Sequence, residues 1–289
     1  MFFQLSFSTA TAAMVVTTRP QEILAGHAAT SAAGGLRDHG VVRVNGVLTP
    51  STCETLLSHV NEELEKTLLE QQNMLCMESD DALSSRFAKV LARQSECGTT
   101  RRHDLKLDLK PPVSAAIEEM LSSLGPAFSE CLGEDAVLYE LASLISEPGS
   151  PLQPFHPDTP FLDDQGACVL TAFIALQPVE EDMGPTTFLP ASHTAKDHEA
   201  FKTKDDGGEA YLSLLRSRPV YRGLLGAGDA TVFDSRLLHR GGANESKRRR
   251  VLFYASFRAR DAKAPPGTIL YDLRGRHSLA DWRHSWRST

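Results

Sequence analysis

The second half of this chain, from about residue 135, is a series of short apolar runs that are closed by glycine, proline or aspartate. Runs of this length, rich in β-branched and aromatic residues, are typical of short β-strands. Many such strands in succession form an antiparallel barrel or a jelly roll of the cupin-like class, which curls around a pocket. We therefore predict a mainly β core over about residues 135–260, with strands at residues 136–141, 154–156, 167–176, 186–189, 230–233 and 251–257.

The first half has helical periodicity instead. Leucine or valine occupies every fourth position from 56 to 68, with glutamates between them, as expected for an amphipathic helix that begins after residues 49–51. We predict a helical layer over about residues 50–133, preceded by a short strand at 41–44. Its other helices are placed at residues 82–93 and 115–124, the latter broken at Gly125-Pro126 and followed by a further turn at 128–132. The charged residues 101–104 are expected to form a solvated loop, with a contact to the substrate as the alternative.

The sequence favours a single domain over residues 40–289, because no linker divides this part of the chain. Residues 1–18 lack acidic side chains and are rich in serine, threonine and alanine. We therefore expect residues 1–39 to be either disordered or an organelle-targeting segment. The five cysteines are scattered and form no Cys-x-x-Cys pair, which favours reduced thiols and an intracellular, cytoplasmic protein unless the N-terminus directs it to an organelle.

Charge and hydropathy disfavour nucleic-acid binding and a membrane-spanning helix. The net charge is −7 at pH 7 and the pI is about 5.8, and the basic residues do not gather into a large face, so no nucleic-acid partner is expected. No apolar run approaches the roughly 20 residues that a membrane-spanning helix requires. At 289 residues and 41% hydrophobic content, the chain can still bury a large core.

Three residues match the ligand set of a mononuclear metal site. His156 and Asp158 occur in the sequence His-Pro-Asp, and His239 follows much later. Residues two apart on a strand point to the same face, so His156 and Asp158 can reach one metal ion. Two imidazoles and one carboxylate form the facial triad of non-haem iron(II) sites, which leaves positions open for a co-substrate and dioxygen. Zinc accepts the same ligands, so a zinc-dependent hydrolase or a cupin isomerase is an alternative.

Three arginines stand just before the last predicted strand. Arg250 follows His239 by eleven residues and opens the apolar run 251–257. A guanidinium on this strand can bind a carboxylate of a dicarboxylic acid through two parallel hydrogen bonds. Arg248 and Arg250 share one face of a strand and Arg249 points to the other. Whichever arginine faces inward needs an anionic partner, because an unpaired buried guanidinium is costly.

Three segments of the chain resemble the phytanoyl-CoA dioxygenase family, and they occur in the family's order. Residues 153–161, which contain His156 and Asp158, are similar to its iron-binding segment. Residues 183–193 resemble its Gly-Pro…Pro-Gly-Ser-His block, except that Ala191 stands where glycine is usual. Residues 233–244 resemble its distal-histidine segment. The resemblance covers roughly residues 40–260.

The resemblance implies an iron(II)- and 2-oxoglutarate-dependent dioxygenase on a double-stranded β-helix. His156, Asp158 and His239 would hold the iron, and the spacing from the distal histidine matches the family's 2-oxoglutarate-binding arginine best at Arg250, with Arg249 as the second choice. Such enzymes consume dioxygen and release succinate and CO2 while they oxidise a C–H bond of a small molecule. Asp158 favours hydroxylation or another oxidation, because halogenating relatives lack this carboxylate. The remaining alternative is a catalytically silent barrel that binds a metabolite.

Overall fold

The computed structural model describes residues 32–75, 89–95, 98–162, 167–206 and 208–287. The helices in these ranges are α1 (Ala32–His39), α2 (Pro50–Leu75), α3 (Val113–Leu132), α4 (Ala195–Lys202), α5 (Glu209–Ser217) and α6 (His284–Arg287). The strands are β1 (Val41–Val44), β2 (Val90–Ser95), β3 (Gly98–Lys106), β4 (Val137–Ser146), β5 (Val169–Ala175), β6 (Thr187–Phe188), β7 (Tyr221–Arg222), β8 (Ala230–Asp234), β9 (His239–Arg240) and β10 (Arg250–Arg258). Short 3₁₀ helices lie at Glu181–Met183, Lys204–Asp206, Tyr271–Leu273 and Leu279–Trp282.

The strands form two antiparallel sheets. The larger one, the major sheet, has the order β1-β8-β5-β10-β4-β3-β2, and the minor sheet has the order β7-β6-β9. The last strand, β10, lies between β4 and β5, so these two strands, which follow each other in the sequence, are not neighbours in the sheet. This winding is the predicted jelly roll, a double-stranded β-helix whose two sheets enclose a pocket.

Side chains alternate between the two faces of the major sheet, as the period of two on a strand requires. On β10, Val251, Phe253 and Phe257 point outward and join the core cluster formed with the helices. Leu252 and Tyr254 point inward and belong to a second cluster inside the barrel, together with Phe173, Phe188 and Phe233. One face of the sheet therefore anchors the helices, and the other lines the pocket.

Helices α2 and α3 form the predicted layer over the outer face. The stripe on α2 is buried as expected, since Leu56, Val60 and Leu64 are each 0% exposed. On α3 the buried side chains include Ile117, Leu121 and Phe128. No helix in the described ranges has the length and apolar character that crossing a bilayer requires.

Helix α3 differs from the prediction because it continues through Gly125-Pro126. Proline inside a helix removes one hydrogen bond and costs about 3 kcal/mol. The helix nevertheless runs to Leu132, because its apolar face is buried on both sides of the proline, and each buried large side chain contributes about 1.5–3 kcal/mol. Glycine at 125 has a packing role, since a Cβ there would lie 2.4 Å from the Trp286 ring.

The helix predicted over residues 82–93 is wrong for residues 90–93, which belong to β2. Val90 pairs with Leu105 and Leu91 pairs with Asp104 of β3, so pairing with a distant partner overrides the local periodicity. Residues 82–88 lie outside the described part of the chain. The solvated loop expected at residues 101–104 is also wrong, because these residues belong to β3, where Arg102 and Asp104 are 1% and 2% exposed.

The segment assigned to residues 1–39 contains a helix at its end. Helix α1 covers Ala32–His39, and its buried residues are Ala33 and Leu36. Leu36 belongs to the same core cluster as the outer face of the major sheet. The packed part of the chain therefore begins before residue 40, and residues 1–31 lie outside the described part.

Candidate metal centre

Backbone hydrogen bonds bring His156, Asp158 and His239 together from distant parts of the sequence. The N–H of His156 donates to the carbonyl of His239 at 2.9 Å, and the N–H of His239 donates back at 3.0 Å. The N–H of Asp158 donates to the carbonyl of Ser235, just after β8, at 2.8 Å. The strand predicted at residues 154–156 is thus reduced to one β-bridge at His156. That bridge sets the two histidine rings beside each other.

The three side chains have the geometry of a metal site. One ligand-type atom from each residue can be chosen so that all three lie within 4.8 Å of one another. The Nε2 of His239 is 3.5 Å from Oδ2 of Asp158, and the ring centroids of His156 and His239 are 4.8 Å apart. The side chain of Asp158 is 33% exposed and that of His239 only 5%. The site is therefore anchored in the barrel and open on the carboxylate side.

Both imidazoles are oriented by backbone carbonyls. The Nδ1 of His156 is 2.9 Å from the carbonyl of Pro154, and the Nδ1 of His239 is 2.9 Å from the carbonyl of Leu237. A carbonyl can only accept, so Nδ1 carries the proton in each ring and Nε2 keeps its lone pair. This is the outer-shell arrangement that orients histidine for a metal.

The triad lines a cavity of about 110 Å³ between the two sheets. Apolar walls come from Leu144, Val169 and Phe173, and the polar side chains in the wall include Glu140, Gln153 and Thr171. The rim includes Pro265 and Pro266, from the segment after β10. A small molecule entering this space would meet the three ligand residues on one side and a mixed wall on the other.

Arg250 lies on the inner face of the major sheet, but it lines a second and smaller cavity. The two cavities share Phe173 and Thr186 in their walls. Arg250 is 0% exposed, and one Nη donates to the carbonyl of Gly184. Within the described residues its Nε and other Nη have no hydrogen-bond partner. Burial and the nearby Arg102 lower the pKa of Arg250 to about 9. A shift in this direction is expected for a buried cation that has no anion beside it among the described residues.

Arg249 has a different environment. Its Nε donates to Glu147 at 2.7 Å and its Nη1 donates to Asn61 at 2.8 Å. These partners lie on the loop after β4 and on α2, so Arg249 ties the outer side of β10 to the helical layer. Arg249 therefore already has an anionic partner, whereas Arg250 has unused donors.

Gly184 and Ala191 have the positive φ angles that the turns of segment 183–193 require. Gly184 has φ +69°, and a Cβ there would lie 2.5 Å from the carbonyl oxygens of Gly242 and Ala243. Glycine is required at this position because the loop after His239 packs against its backbone. Ala191, which replaces the glycine usual in the resembling family, also has a positive φ, of 60°. The backbone there keeps the conformation that glycine adopts without strain.

The sequence analysis missed several polar residues of the barrel interior. Glu140 lines the cavity and accepts a hydrogen bond from Ser256 Oγ at 2.6 Å. The Tyr254 hydroxyl donates to Asp104 at 2.6 Å. The alternation of polar and apolar residues along β3 and β10 is the sequence pattern that could have indicated these side chains. They could be placed only once the strand register and the inward face were known.

The carboxyl group of Glu140, a half-buried residue of the cavity wall, leads to a pH prediction. Burial raises its pKa from the ordinary value of 4.5 to about 7. In the unfolded chain the proton leaves near pH 4.5, but in the folded protein it stays until about pH 7, so ionisation in this window favours unfolding. The free energy of unfolding of the wild type, relative to Glu140→Gln, should fall by roughly 2–3 kcal/mol from pH 4.5 to pH 7. Urea denaturation of both proteins at several pH values measures this difference in the free energy of unfolding. A difference that does not change with pH would contradict the prediction.

The fold is shared with solved structures. The non-haem α-ketoglutarate-dependent carbocyclase SnoK from nogalamycin biosynthesis has a TM-score of 0.60 at 19% identity, over 87% of this chain and 92% of that chain. The α-ketoglutarate-dependent epimerase SnoN from the same biosynthesis gives 0.57 at 22%, over 85% and 87%. HygX from Streptomyces hygroscopicus, solved with nickel and 2-oxoglutarate bound, gives 0.51 at 15%, over 83% and 91%. No similar sequence was found among curated proteins.

The sequence itself matches one protein family over most of its length. The model of the phytanoyl-CoA dioxygenase family matches residues 36–252. This range contains the three ligand-type residues, Arg250 and both sheets up to the start of β10. By its sequence, this chain belongs to the phytanoyl-CoA dioxygenase family.

Proposed function

We propose that this protein is an iron(II)- and 2-oxoglutarate-dependent dioxygenase that hydroxylates a C–H bond of a small molecule, with formation of succinate and CO2. The convergence of His156, Asp158 and His239 on one side of an enclosed cavity carries the proposal. Two imidazole nitrogens and one carboxylate oxygen are the donor set of non-haem iron(II) sites. When bound, iron and 2-oxoglutarate supply the oxidising chemistry, with dioxygen as the other co-substrate.

The side chains around the triad have the properties that this chemistry needs. The Nδ1 hydrogen bonds of His156 and His239 hold both rings with Nε2 free to bind the metal. Leu144 and Phe173 in the cavity wall exclude water from the reacting group. The open side next to Asp158 is a route by which a substrate can reach the centre.

In this proposal Arg250 binds the far carboxylate of 2-oxoglutarate. Its two unused nitrogens and its full burial favour an anionic ligand, because a buried guanidinium without one is costly. The positive charge of Arg102 nearby adds to the attraction for an anion. Arg249 is supported less well, since it is bound to Glu147 and Asn61.

The presence of Asp158, which completes a three-ligand site, favours hydroxylation or another oxidation over halogenation. The fold by itself does not select the outcome, because its neighbours SnoN and SnoK are described as an epimerase and a carbocyclase. A zinc hydrolase or cupin isomerase would have no use for the unpaired guanidinium of Arg250. A silent barrel would have no need to keep both histidine rings oriented by carbonyl groups.

An anaerobic titration tests the proposal without knowledge of the substrate. Iron(II) and then 2-oxoglutarate are added to the metal-free protein, and the visible spectrum is recorded. A weak lilac absorption band that requires both additions is expected, because 2-oxoglutarate bound to iron(II) gives such a charge-transfer band. Tight binding of zinc without the band would favour the hydrolase or isomerase. A protein that binds no metal would be the silent barrel.

A further inference from the structure

Glu140 is a cavity carboxyl group for which the proposed reaction has no role. Its Oε2 accepts a hydrogen bond from Ser256 Oγ at 2.6 Å, and its Oε1 accepts one from the backbone N–H of Thr268 at 3.2 Å. Both donors are neutral. In the part of the chain that the structure describes, Glu140 forms no ion pair. Two neutral donors leave acceptor capacity on a carboxylate that can take about four hydrogen bonds.

Two buried carboxylates of this protein are neutralised by arginine. Asp234 is paired with Arg236 at 2.7 Å, and Asp197 is paired with Arg218 at 2.8 Å. Both pairs are structural, because they connect residues around the loops that follow β6 and β8. A buried carboxylate without a cation is disfavoured unless something else binds it. Glu140 differs from these aspartates in lining the cavity and in having no cationic partner among the described residues.

Glu140 points into the cavity because it continues the inner face of β4, on which Ala142 and Leu144 belong to the inner cluster. A bulge next to it brings Tyr139 to the same cavity. Ser256 pairs with Glu140, but the next residue of β10 pairs with Leu138, so Tyr139 is an extra residue in the register. Consecutive residues of a regular strand point to opposite faces, yet Tyr139 and Glu140 both line the cavity. Bulges of this kind redirect side chains next to active sites.

The distance along β10 separates Glu140 from the site proposed for 2-oxoglutarate. Arg250 and Ser256 are both on the inner face of β10, and six residues of strand span about 20 Å. Ser256 is the register partner of Glu140. A five-carbon acid bound by Arg250 cannot also reach the Glu140 carboxyl. Glu140 and the metal triad line the same cavity, so a ligand beside the metal can contact it.

We propose that Glu140 is a specificity-determining residue, which binds a hydrogen-bond-donating group of the substrate, a hydroxyl or an ammonium, beside the metal centre. The inference rests on the proposed function, since it takes the cavity as the substrate pocket. Ser256 and the backbone of Thr268 hold the carboxyl group in place for this contact. Substrates that present only an apolar chain at this point would leave the carboxyl group buried without a partner and would bind poorly.

Three probes of equal size test the inference. Cyclohexanol and cyclohexylammonium donate hydrogen bonds, whereas cyclohexanone only accepts them. Each is titrated anaerobically into protein loaded with iron(II) and 2-oxoglutarate, and binding beside the metal is measured from the paramagnetic broadening of the probe's proton signals. In the wild type we expect both donors to bind at least about tenfold more tightly than cyclohexanone, as for hydrogen bonds to a charged group.

Substitutions assign the preference to the carboxyl group. Glu140→Leu should bind all three probes with similar affinity. Glu140→Gln keeps the shape but removes the charge, and its amide can donate to cyclohexanone as well as accept from cyclohexanol, so it should lose the preference for cyclohexylammonium and bind the two neutral probes with similar affinity. The control Glu199→Leu changes a glutamate whose side chain is 70% exposed and should behave as the wild type. If Glu140→Leu does not fold, the Gln variant alone still decides, through the ammonium probe.

The visible band of iron(II) with 2-oxoglutarate distinguishes a failure of the Glu140 inference from a failure of the proposed function. With the band present, equal affinity for the three probes in the wild type, or binding of none of them, would overturn the inference and leave the proposed function standing. The same conclusion follows if Glu140→Leu and Glu140→Gln keep the wild-type preference. Absence of the band from the wild type would overturn the proposed function itself.

Discussion

Replacement of Asp158 by alanine is expected to abolish the formation of succinate from 2-oxoglutarate. Asp158 supplies the carboxylate of the three-residue group, so alanine leaves only the two imidazoles. Loss of an outer-shell partner of a metal ligand already costs about 10–100-fold in metal affinity or activity. We therefore expect loss of the ligand itself to lower iron(II) affinity by more than about 100-fold. Anaerobic iron(II) titration and a succinate assay measure the two effects.

The control for this experiment is a carboxylate outside the cavity. Asp205 is 80% exposed and pairs with Lys204, so Asp205→Ala should leave iron(II) affinity and succinate formation unchanged. The fold should survive Asp158→Ala, because the Asp158 side chain is 33% exposed and its backbone N–H, not its carboxylate, bonds to Ser235. Wild-type turnover by a folded Asp158→Ala protein would refute the metal site.

Replacement of Arg250 by alanine should weaken 2-oxoglutarate binding without loss of iron(II) binding. Removal of one member of a buried, hydrogen-bonded charge pair costs about 2–5 kcal/mol. The corresponding rise in the dissociation constant of 2-oxoglutarate is at least about 30-fold. Arg250→Lys keeps the charge but not the planar pair of donors, so its affinity should fall between those of the alanine variant and the wild type. The titration of the visible band with 2-oxoglutarate measures each constant.

Arg249→Ala is the matched control, because it removes a neighbouring guanidinium that is bound to Glu147 and Asn61. Its loss should cost at most about 1 kcal/mol of stability, as for other partly exposed ion pairs. The affinity for 2-oxoglutarate should not change. The opposite result, with Arg249→Ala impaired and Arg250→Ala normal, would transfer the carboxylate site to Arg249. A zinc enzyme would be indifferent to both substitutions.

Local patterns predicted those elements whose burial is set by their own sequence. The stripe of α2 and the apolar runs that became β5, β8 and β10 were placed within a few residues, because each has one face or both faces buried. The strand predicted at residues 136–141 covers only the first half of β4, which continues to Ser146. The prediction failed where a partner decided the outcome. Residues 90–93 are a strand because β3 pairs with them, and α3 passes through Pro126 because the sheet covers its apolar face on both sides.

The sequence by itself determined which residues could form a metal centre, since the types and order of His156, Asp158 and His239 are read directly from it. The tertiary structure decided what surrounds them. The β-bridge between the two histidines, the unused donors of Arg250 and the aim of Glu140 all depend on register between strands that are distant in the chain. A one-residue change of register reverses which side chains face the pocket. Such information resides in long-range pairing, which local periodicity does not encode.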